Sequence, residues 1–282
     1  TLNEEDTIGG VIGVLREGLM DGVGLIDELV VMDSGSADRT VDVARACGAD
    51  VYLAEEILPG VGPARGKGEN IWKAVAVMQG DILCFVDGDV RNMHPHFVLG
   101  VVGPLLADSS LKYVKGMYDR PHAAAEVGVR PAGGGRVTEA LVRPLFSLFC
   151  PELAALVQPL AGEYAARREV LEAIPMPTGY GVETSHLLDV SARWGAGVIA
   201  QTDLDERLHR HQDTTSLGRM GFAILHAFLP RAGLAQAADL TRMYRHFMRR
   251  EGVVMCMEWE FPDIERPPLI SLPEYRLRRG LP

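Results

Sequence analysis

Two aspartates separated by one glycine, Asp87-Gly88-Asp89, end the most apolar strand-like run of the chain, Ile82-Leu83-Cys84-Phe85-Val86. A buried strand that stops on two carboxylates delivers both to the C-terminal edge of a sheet, where open α/β folds bind their ligands. Carboxylates at i and i+2 across a glycine can hold a hard divalent cation beside a diphosphate. The same triplet also reads as an ordinary acidic turn after a strand.

Four other clusters carry groups able to act on an anionic ligand. Gly66-Lys67-Gly68 precedes a helical stretch; its glycines allow close backbone approach and its lysine can neutralise a phosphate. Its spacing is not that of a Walker loop, so that ATPase reading fails, and a flexible basic loop is the alternative. Asp33-Ser34-Gly35-Ser36 either turns the chain from strand to helix or contacts the base or ribose of a nucleotide. Gly133-Gly134-Gly135-Arg136-Val137-Thr138 sets three glycines before a guanidinium and a hydroxyl at a predicted helix start, which suits an anion, although a triple glycine is also a hinge. His209 and His211 alternate in a basic segment with Arg207 and Arg210, so on a strand they share a face and can close over a diphosphate. No compact metal motif exists, so the ligands of any metal come from distant segments. Glu183 follows the turn Gly179-Tyr180-Gly181 at a helix start, where its simplest role is to face the helix dipole.

The elements that must position these groups follow from periodicity. Asn3 is a plausible N-cap, and Ile8, Val11, Ile12 and Leu15 repeat at helical spacing behind it. Leu29 to Met32 reads as a strand, Asp38 to Ala46 as a helix, Val51 to Leu53 as a strand and Glu69 to Met78 as a helix. This alternation with short connections predicts an α/β, doubly wound, mostly parallel sheet. Beyond Asp89 the pattern loosens. Strands are predicted at Lys112 to Tyr118, around Leu160 to Ala166 and at Gly197 to Thr202, and helices at Val137 to Phe149 and Val182 to Trp194. Helical stretches near Leu217 to Leu229 and Leu240 to Arg250 then lead to a Pro-rich tail from Pro262. The organisation expected is a catalytic domain over residues 1–215, split into a nucleotide-sugar half (1–115) and an acceptor half (116–215), with a helical extension over 216–282 packed on it.

The totals bound the function. With 282 residues, 47% hydrophobic and 23% charged, the chain can bury a sizeable core. A net charge of −10 argues against general nucleic-acid binding, though locally gathered cations can still hold phosphates. The four cysteines are widely spaced and form no CxxC pair, which points to a reduced, cytoplasmic setting without structural zinc. No apolar run approaches the roughly 20 residues of a membrane span, and no signal peptide is visible.

Taken in order, Leu2-Asn3-Glu4-Glu5, Asp33 to Ser36, Gly66 to Glu69, Asp87 to Asp89, Gly133 to Glu139, Gln158 to Tyr164, Gly179 to Glu183 and Arg207-Leu208-His209 resemble the retaining glucosyl-3-phosphoglycerate synthases of actinobacteria and their mannosyl-3-phosphoglycerate synthase relatives. The resemblance runs from residue 2 to about residue 230. It implies a GT-A fold and transfer of a hexose, from GDP-mannose, UDP-glucose or GDP-glucose, to the 2-hydroxyl of 3-phosphoglycerate. It also implies a divalent cation (Mg²⁺, or Mn²⁺ or Co²⁺) and a homodimer. Carried over by position, Leu2, Asn3, Glu4, Ser34 and Lys67 line the nucleotide, with Asp87 and Gly88 beside it and Leu160 and Tyr180 near the donor sugar. Asp89 and His209 hold the metal, Gly135, Arg136, Thr138 and His211 bind the acceptor, and Glu183 acts at the reacting centre with Asp89.

Three departures stand out. Gly88 replaces a frequent serine, which removes a hydroxyl near the nucleotide; His211 stands where mycobacterial members have asparagine; and the strand preceding the Leu-Asn-Glu-Glu motif in the family is not seen before Thr1. Two other classes share parts of this pattern. A sugar-1-phosphate nucleotidyltransferase uses the same sheet type but a Gly-rich basic loop after its first strand, and a non-catalytic nucleotide-sugar-binding protein needs only the donor pocket.

Overall fold

The structure, a computed structural model, describes residues 1–119, 135–208 and 213–281. The chain opens with α1 (Ile8–Leu15), β1 (Val30–Asp33), α2 (Thr40–Ala46), β2 (Asp50–Leu53), α3 (Lys67–Val77) and β3 (Ile82–Phe85). It continues through α4 (His96–Ala107), β4 (Tyr113–Asp119), α5 (Arg143–Phe149), β5 (Tyr164–Arg167), α6 (Arg168–Ala173) and β6 (Met176–Pro177). Next come α7 (Val182–Trp194), β7 (Ile199–Glu206), α8 (Thr214–Arg231), β8 (Met243–Arg250), β9 (Val253–Glu260), β10 (Glu265–Arg266) and α9 (Pro273–Arg279).

The α/β framework is as the alternation predicts, with one departure from a mostly parallel sheet. β1 and β2 pair in parallel, and the larger sheet has the order β3-β5-β4-β7. β4 and β7 are parallel, but β5 lies antiparallel to both β3 and β4. The short, strongly apolar β3 thus ends beside a strand running the other way, and the turn leading into β5 meets Asp87 at the sheet edge. β1 and β3 are not paired with each other. On β1, Thr1 makes two ladder-type bonds: its amine donates to the Met32 carbonyl (2.7 Å), and its carbonyl accepts from Ser34 N (3.0 Å).

The largest core cluster lies between α3, α7, α8 and the sheet, built on Trp72, Tyr113, Phe146, Tyr164 and Phe228. A second cluster packs α4 and the end of α1 on the other side of the sheet, through Leu15, Phe97, Val101, Leu105, Val114 and Leu204. Helix α4 carries a helical repeat (Phe97, Val98, Val101, Val102, Leu105 all buried) that Gly100, Gly103 and Pro104 obscure in the sequence. Its apolar face supplies the stability that its propensity lacks.

Two local expectations are corrected. Asn3 does not cap α1. It adopts the left-handed region (φ 57°), and the helix starts after Thr7. The stretch Leu240 to Arg250 is not helical: β8 and β9 form an antiparallel hairpin joined at Glu251-Gly252, both with positive φ (50° and 84°), as a tight two-residue turn requires. The Met243–Phe247 spacing suggests a helix, but the β-branched Val253-Val254 across the turn supplies a strand partner. The extension over 216–282 therefore begins as α8 and continues as β structure. Its end is tied into the core: β10 pairs with β6, and Arg266 forks onto buried Glu69 of α3 (2.8 and 2.9 Å).

Candidate active site

A cleft of about 1250 Å³ opens at the edge of the sheet, and the motif residues converge on it. Leu2, Glu4, Ser34, Lys67, Asp87, Gly88, Asp89, Gly135, Arg136, Thr138, Leu160, Tyr180 and Glu183 all line it. Asn3 does not. Its backbone N–H donates to Ser36 Oγ (2.9 Å) and its side-chain carbonyl accepts from Ala37 N (2.8 Å), so it fastens the N-terminal segment to the turn after β1. His209 and His211, with Gly133, Gly134 and Arg210, lie outside the described residues.

The turn after β1 is held by Asp33, which accepts from Gly35 N, Ser36 N and Ser36 Oγ at 2.6–2.9 Å. Burial alone would raise the Asp33 carboxyl, but the bonds from Ser36 and Gly35 outweigh it and hold the group below the usual range. Asp33 is thus a structural residue, and Ser34 is the one that faces the cleft, where its hydroxyl donates to Asn70 Oδ1 (2.8 Å).

Lys67 is the first residue of α3, a poor place for a cation beside the positive end of the helix dipole. Two carboxylates compensate: Asp87 Oδ1 at 2.8 Å and Glu183 Oε1 at 2.7 Å. Burial works against the lysine's charge, but Asp87 and Glu183 outweigh burial and raise its pKa well above the usual lysine range. The flanking glycines do different work from that expected. A side chain on Gly68 would collide with the Pro177 carbonyl, and one on Gly66 with that of Thr178. They let α3 lie against the β6 turn, which brings Lys67 to the cleft. Glu183, expected at the least to face a helix dipole, is buried at the start of α7 and paired with Lys67.

Arg207, named from the sequence only as part of a basic segment, is the residue that joins the acidic groups of the cleft. It is 3% exposed, follows β7, and donates from Nη2 to Asp87 Oδ2 (3.0 Å) and to Asp89 Oδ1 (2.9 Å). Its Nε lies 2.9 Å from Glu163 Oε1, out of line for a hydrogen bond, and its plane covers the Tyr118 ring at 5.6 Å. The fork ties both aspartates to the floor of the site. Gly162 permits this, since a side chain there would collide with the Asp87 carboxylate. The signal available in the sequence was an arginine directly after a strand end, too common to stand alone.

At Gly88 a Cβ would meet the Thr1 methyl at 2.8 Å, so the glycine and Thr1 are sterically matched; Thr7 Oγ1 donates to the Gly88 carbonyl (2.8 Å). Beneath the cleft Lys115 is fully buried, donates to the Ala161 carbonyl (2.7 Å), and sits 5.1 Å from the Tyr164 ring. Burial drops its ammonium to about 8, against the pull of Glu183. Thr138 begins a π-helical turn (Thr138–Val142), a geometry that often marks functional sites.

Four carboxylates, Asp87, Asp89, Glu163 and Glu183, share two direct cations, Lys67 and Arg207. Even with Lys115 behind them, negative charge is in excess. The oxygen-only donors at Asp87 and Asp89 suit a hard divalent cation that keeps other ligands from water or phosphate. Among the described residues no cluster of three or more His, Cys, Asp or Glu side chains could hold a metal by itself.

Comparison with known proteins decides the family. Residues 1–110 match the model of glycosyl transferase family 2. The glucosyl-3-phosphoglycerate synthase of Petrotoga mobilis is 45% identical over 280 residues, covering 98% of this chain and 86% of that protein. The chain belongs to the glucosyl-/mannosyl-3-phosphoglycerate synthase family. It is accordingly a hexosyltransferase with a GT-A fold. The synthase of Mycobacterium tuberculosis (strain H37Rv) is 42% identical over 270 residues, 95% of this chain and 82% of that one. Among solved structures, mannosyl-3-phosphoglycerate synthase from Rubrobacter xylanophilus superposes with a TM-score of 0.87 at 38% identity, covering 96% of this chain and 88% of that chain. The M. tuberculosis glucosyl enzyme in complex with Mn²⁺, UDP-glucose and phosphoglyceric acid gives 0.84 at 39% identity, with the same coverage.

Proposed function

We propose that this chain transfers a hexose, with retention, from a nucleoside-diphosphate sugar to the 2-hydroxyl of 3-phosphoglycerate. The observation that carries the proposal is the convergence, in one cleft, of the Lys67–Asp87–Asp89–Glu183 cluster with the Arg136–Thr138 segment. The first joins a diphosphate site to a carboxylate at the reacting centre, and the second supplies an anion-binding fork for the acceptor. A nucleotidyltransferase or a sugar sensor has no need of both.

Asp89, with Asp87 beside it, would hold a divalent cation, which supplies charge neutralisation at the leaving diphosphate. Lys67 adds a fixed cation on the same side of the cleft and, through Glu183, couples that side to the reacting centre. Arg136 and Thr138 orient the acceptor, contributing position rather than bond-making. Glu183, held in an ion pair, positions the acceptor hydroxyl and steadies positive charge at the anomeric carbon without becoming glycosylated. Attack then comes from the face the leaving group departs from, with the leaving phosphate accepting the hydroxyl proton.

UDP-glucose is the first donor to test, because it is the sugar nucleotide bound in the M. tuberculosis structure; GDP-glucose and GDP-mannose are the other arms. The test is NMR of the product formed from donor, Mg²⁺ and 3-phosphoglycerate. An α-linked hexosyl-2-(3-phosphoglycerate) supports the proposal, and a β-linked or phosphate-linked product contradicts it. We also propose a homodimer assembled through the β8–β9 hairpin, which exposes Phe247, Val253 and Val254 at 70%, 63% and 56%. A two-stranded hairpin is marginal alone in water. Monomeric sedimentation at micromolar concentration would contradict it.

A further inference from the structure

The cations of the cleft differ in how they are committed. Lys67 is paired with two carboxylates and Arg207 with three, whereas Arg219 of α8, which also lines the cleft, forms no ion pair among the described residues. Its Nε is buried and makes no hydrogen bond among the described residues. An unsatisfied guanidinium donor in a cleft is costly unless a ligand completes it.

The group is nevertheless held in place. Its guanidinium covers the Trp259 ring at 5.4 Å, and Trp259 is packed edge-on against Phe261 (5.9 Å) and Tyr244 (6.5 Å). Tyr244 in turn meets Phe222 of α8 at 5.4 Å, and its hydroxyl lies against Gly218, where any side chain would collide. The base of the hairpin is thus an aromatic platform that fixes the arginine plane before any ligand arrives, which lowers the entropy lost per bond formed.

Its place in the cleft selects the ligand. Arg219 lies one turn before Ala223 on the same face of α8, and Ala223 packs on the turn that carries Tyr180 and Glu183: a Cβ on Gly181 would lie 3.0 Å from the Ala223 carbonyl oxygen. Arg219 therefore stands on the side of the Tyr180–Glu183 turn, where the acceptor hydroxyl must reach the donor sugar, while Leu2, Glu4 and Ser34, matched to the nucleotide, gather near β1. A phosphate dianion presents three acceptor oxygens, more than one guanidinium satisfies.

We propose that Arg219, seated on Trp259, is a further acceptor-binding residue that pairs with the phosphate group of 3-phosphoglycerate, an inference that rests on the transfer reaction proposed above. The test is calorimetric titration of wild type and Arg219→Gln, each loaded with Mn²⁺ and UDP, with 3-phosphoglycerate, glycerol 3-phosphate and glycerate. Arg219→Gln should weaken both phosphorylated ligands by about tenfold or more while leaving glycerate and UDP affinity unchanged. Arg219→Lys should fall between them, and thermal midpoints should match the wild type. A 3-phosphoglycerate affinity within about twofold of wild type in both variants overturns the inference, as does an equal loss for glycerate. A wild type that binds no 3-phosphoglycerate overturns the transfer reaction as well. A wild type that turns it over, beside variants of equal affinity, overturns the Arg219 assignment alone.

Discussion

In the proposed reaction, Glu183 meets the substrates, whereas Arg207 holds other residues in place. Glu183 is one bond from Lys67 and lines the cleft beside Tyr180. Glu183→Gln should lower kcat and kcat/KM together by roughly 10²-fold, with donor affinity nearly intact, because its interaction strengthens in the transition state. Steady-state kinetics with separate donor titrations checks this, and an unchanged kcat would return Glu183 to a structural role. Arg207 acts at one remove, through Asp87 and Asp89. Arg207→Gln should weaken Mn²⁺ binding by roughly 10- to 100-fold, as loss of an outer-shell partner does. Free Mn²⁺ measured by EPR without substrates reads this directly, and wild-type affinity would show that the aspartates need no such support. Of the two, Glu183 was legible because it follows a glycine-punctuated turn. Arg207 was not, because its partners, Glu163 and Tyr118, lie far from it in the chain and meet only when β4, β5 and β7 assemble.

At the scale of elements, the N-terminal half was readable because β1 and β3 are apolar runs that stop on polar turns lining the cleft. The glycines were readable as special positions, but not for the right reason. Gly68 and Gly162 are there because backbone or carboxylate occupies the space of a side chain, a tertiary fact with no local signature. The C-terminal segment was misread at β8, where a helix-like spacing concealed a strand whose partner follows a Glu-Gly turn. That segment is integral to the core. Arg266 is 3% exposed, forks onto Glu69 and also donates to the Val61 and Gly62 carbonyls (2.6 and 2.7 Å). Arg266→Ala leaves buried Glu69 with Lys73 at 3.6 Å in place of a bidentate fork, and should cost up to roughly 3–5 kcal/mol in urea unfolding. A loss near the surface-pair range would mean that the tail is only loosely held.

For the whole molecule, the same buried polar layer that supports the cleft sets the response to pH. His186 is fully buried under Tyr113 and Tyr164, and burial, aided by Lys115 and Arg231, drops its pKa from 6.5 to about 3. Between these values the unfolded chain takes up a proton that the folded chain refuses. The contribution to stability is therefore full above pH 6.5 and is lost as pH falls toward 3, at about 1.4 kcal/mol per pH unit. Urea midpoints at about pH 7 and about pH 4.5 should differ more for wild type than for His186→Gln. Equal differences would place the acid sensitivity elsewhere. The molecule as a whole was also where family resemblance reached furthest, since the ordered motifs span both halves of the cleft. Among the described residues no helix is long and apolar enough to cross a membrane, and the four cysteines are free. The most direct measurement of the central claim is release of nucleoside diphosphate from UDP-glucose or GDP-mannose, with and without 3-phosphoglycerate. Release that requires 3-phosphoglycerate and stops on chelation with EDTA is the expected result. Release at the same rate without the acceptor, or full activity in EDTA, would contradict it.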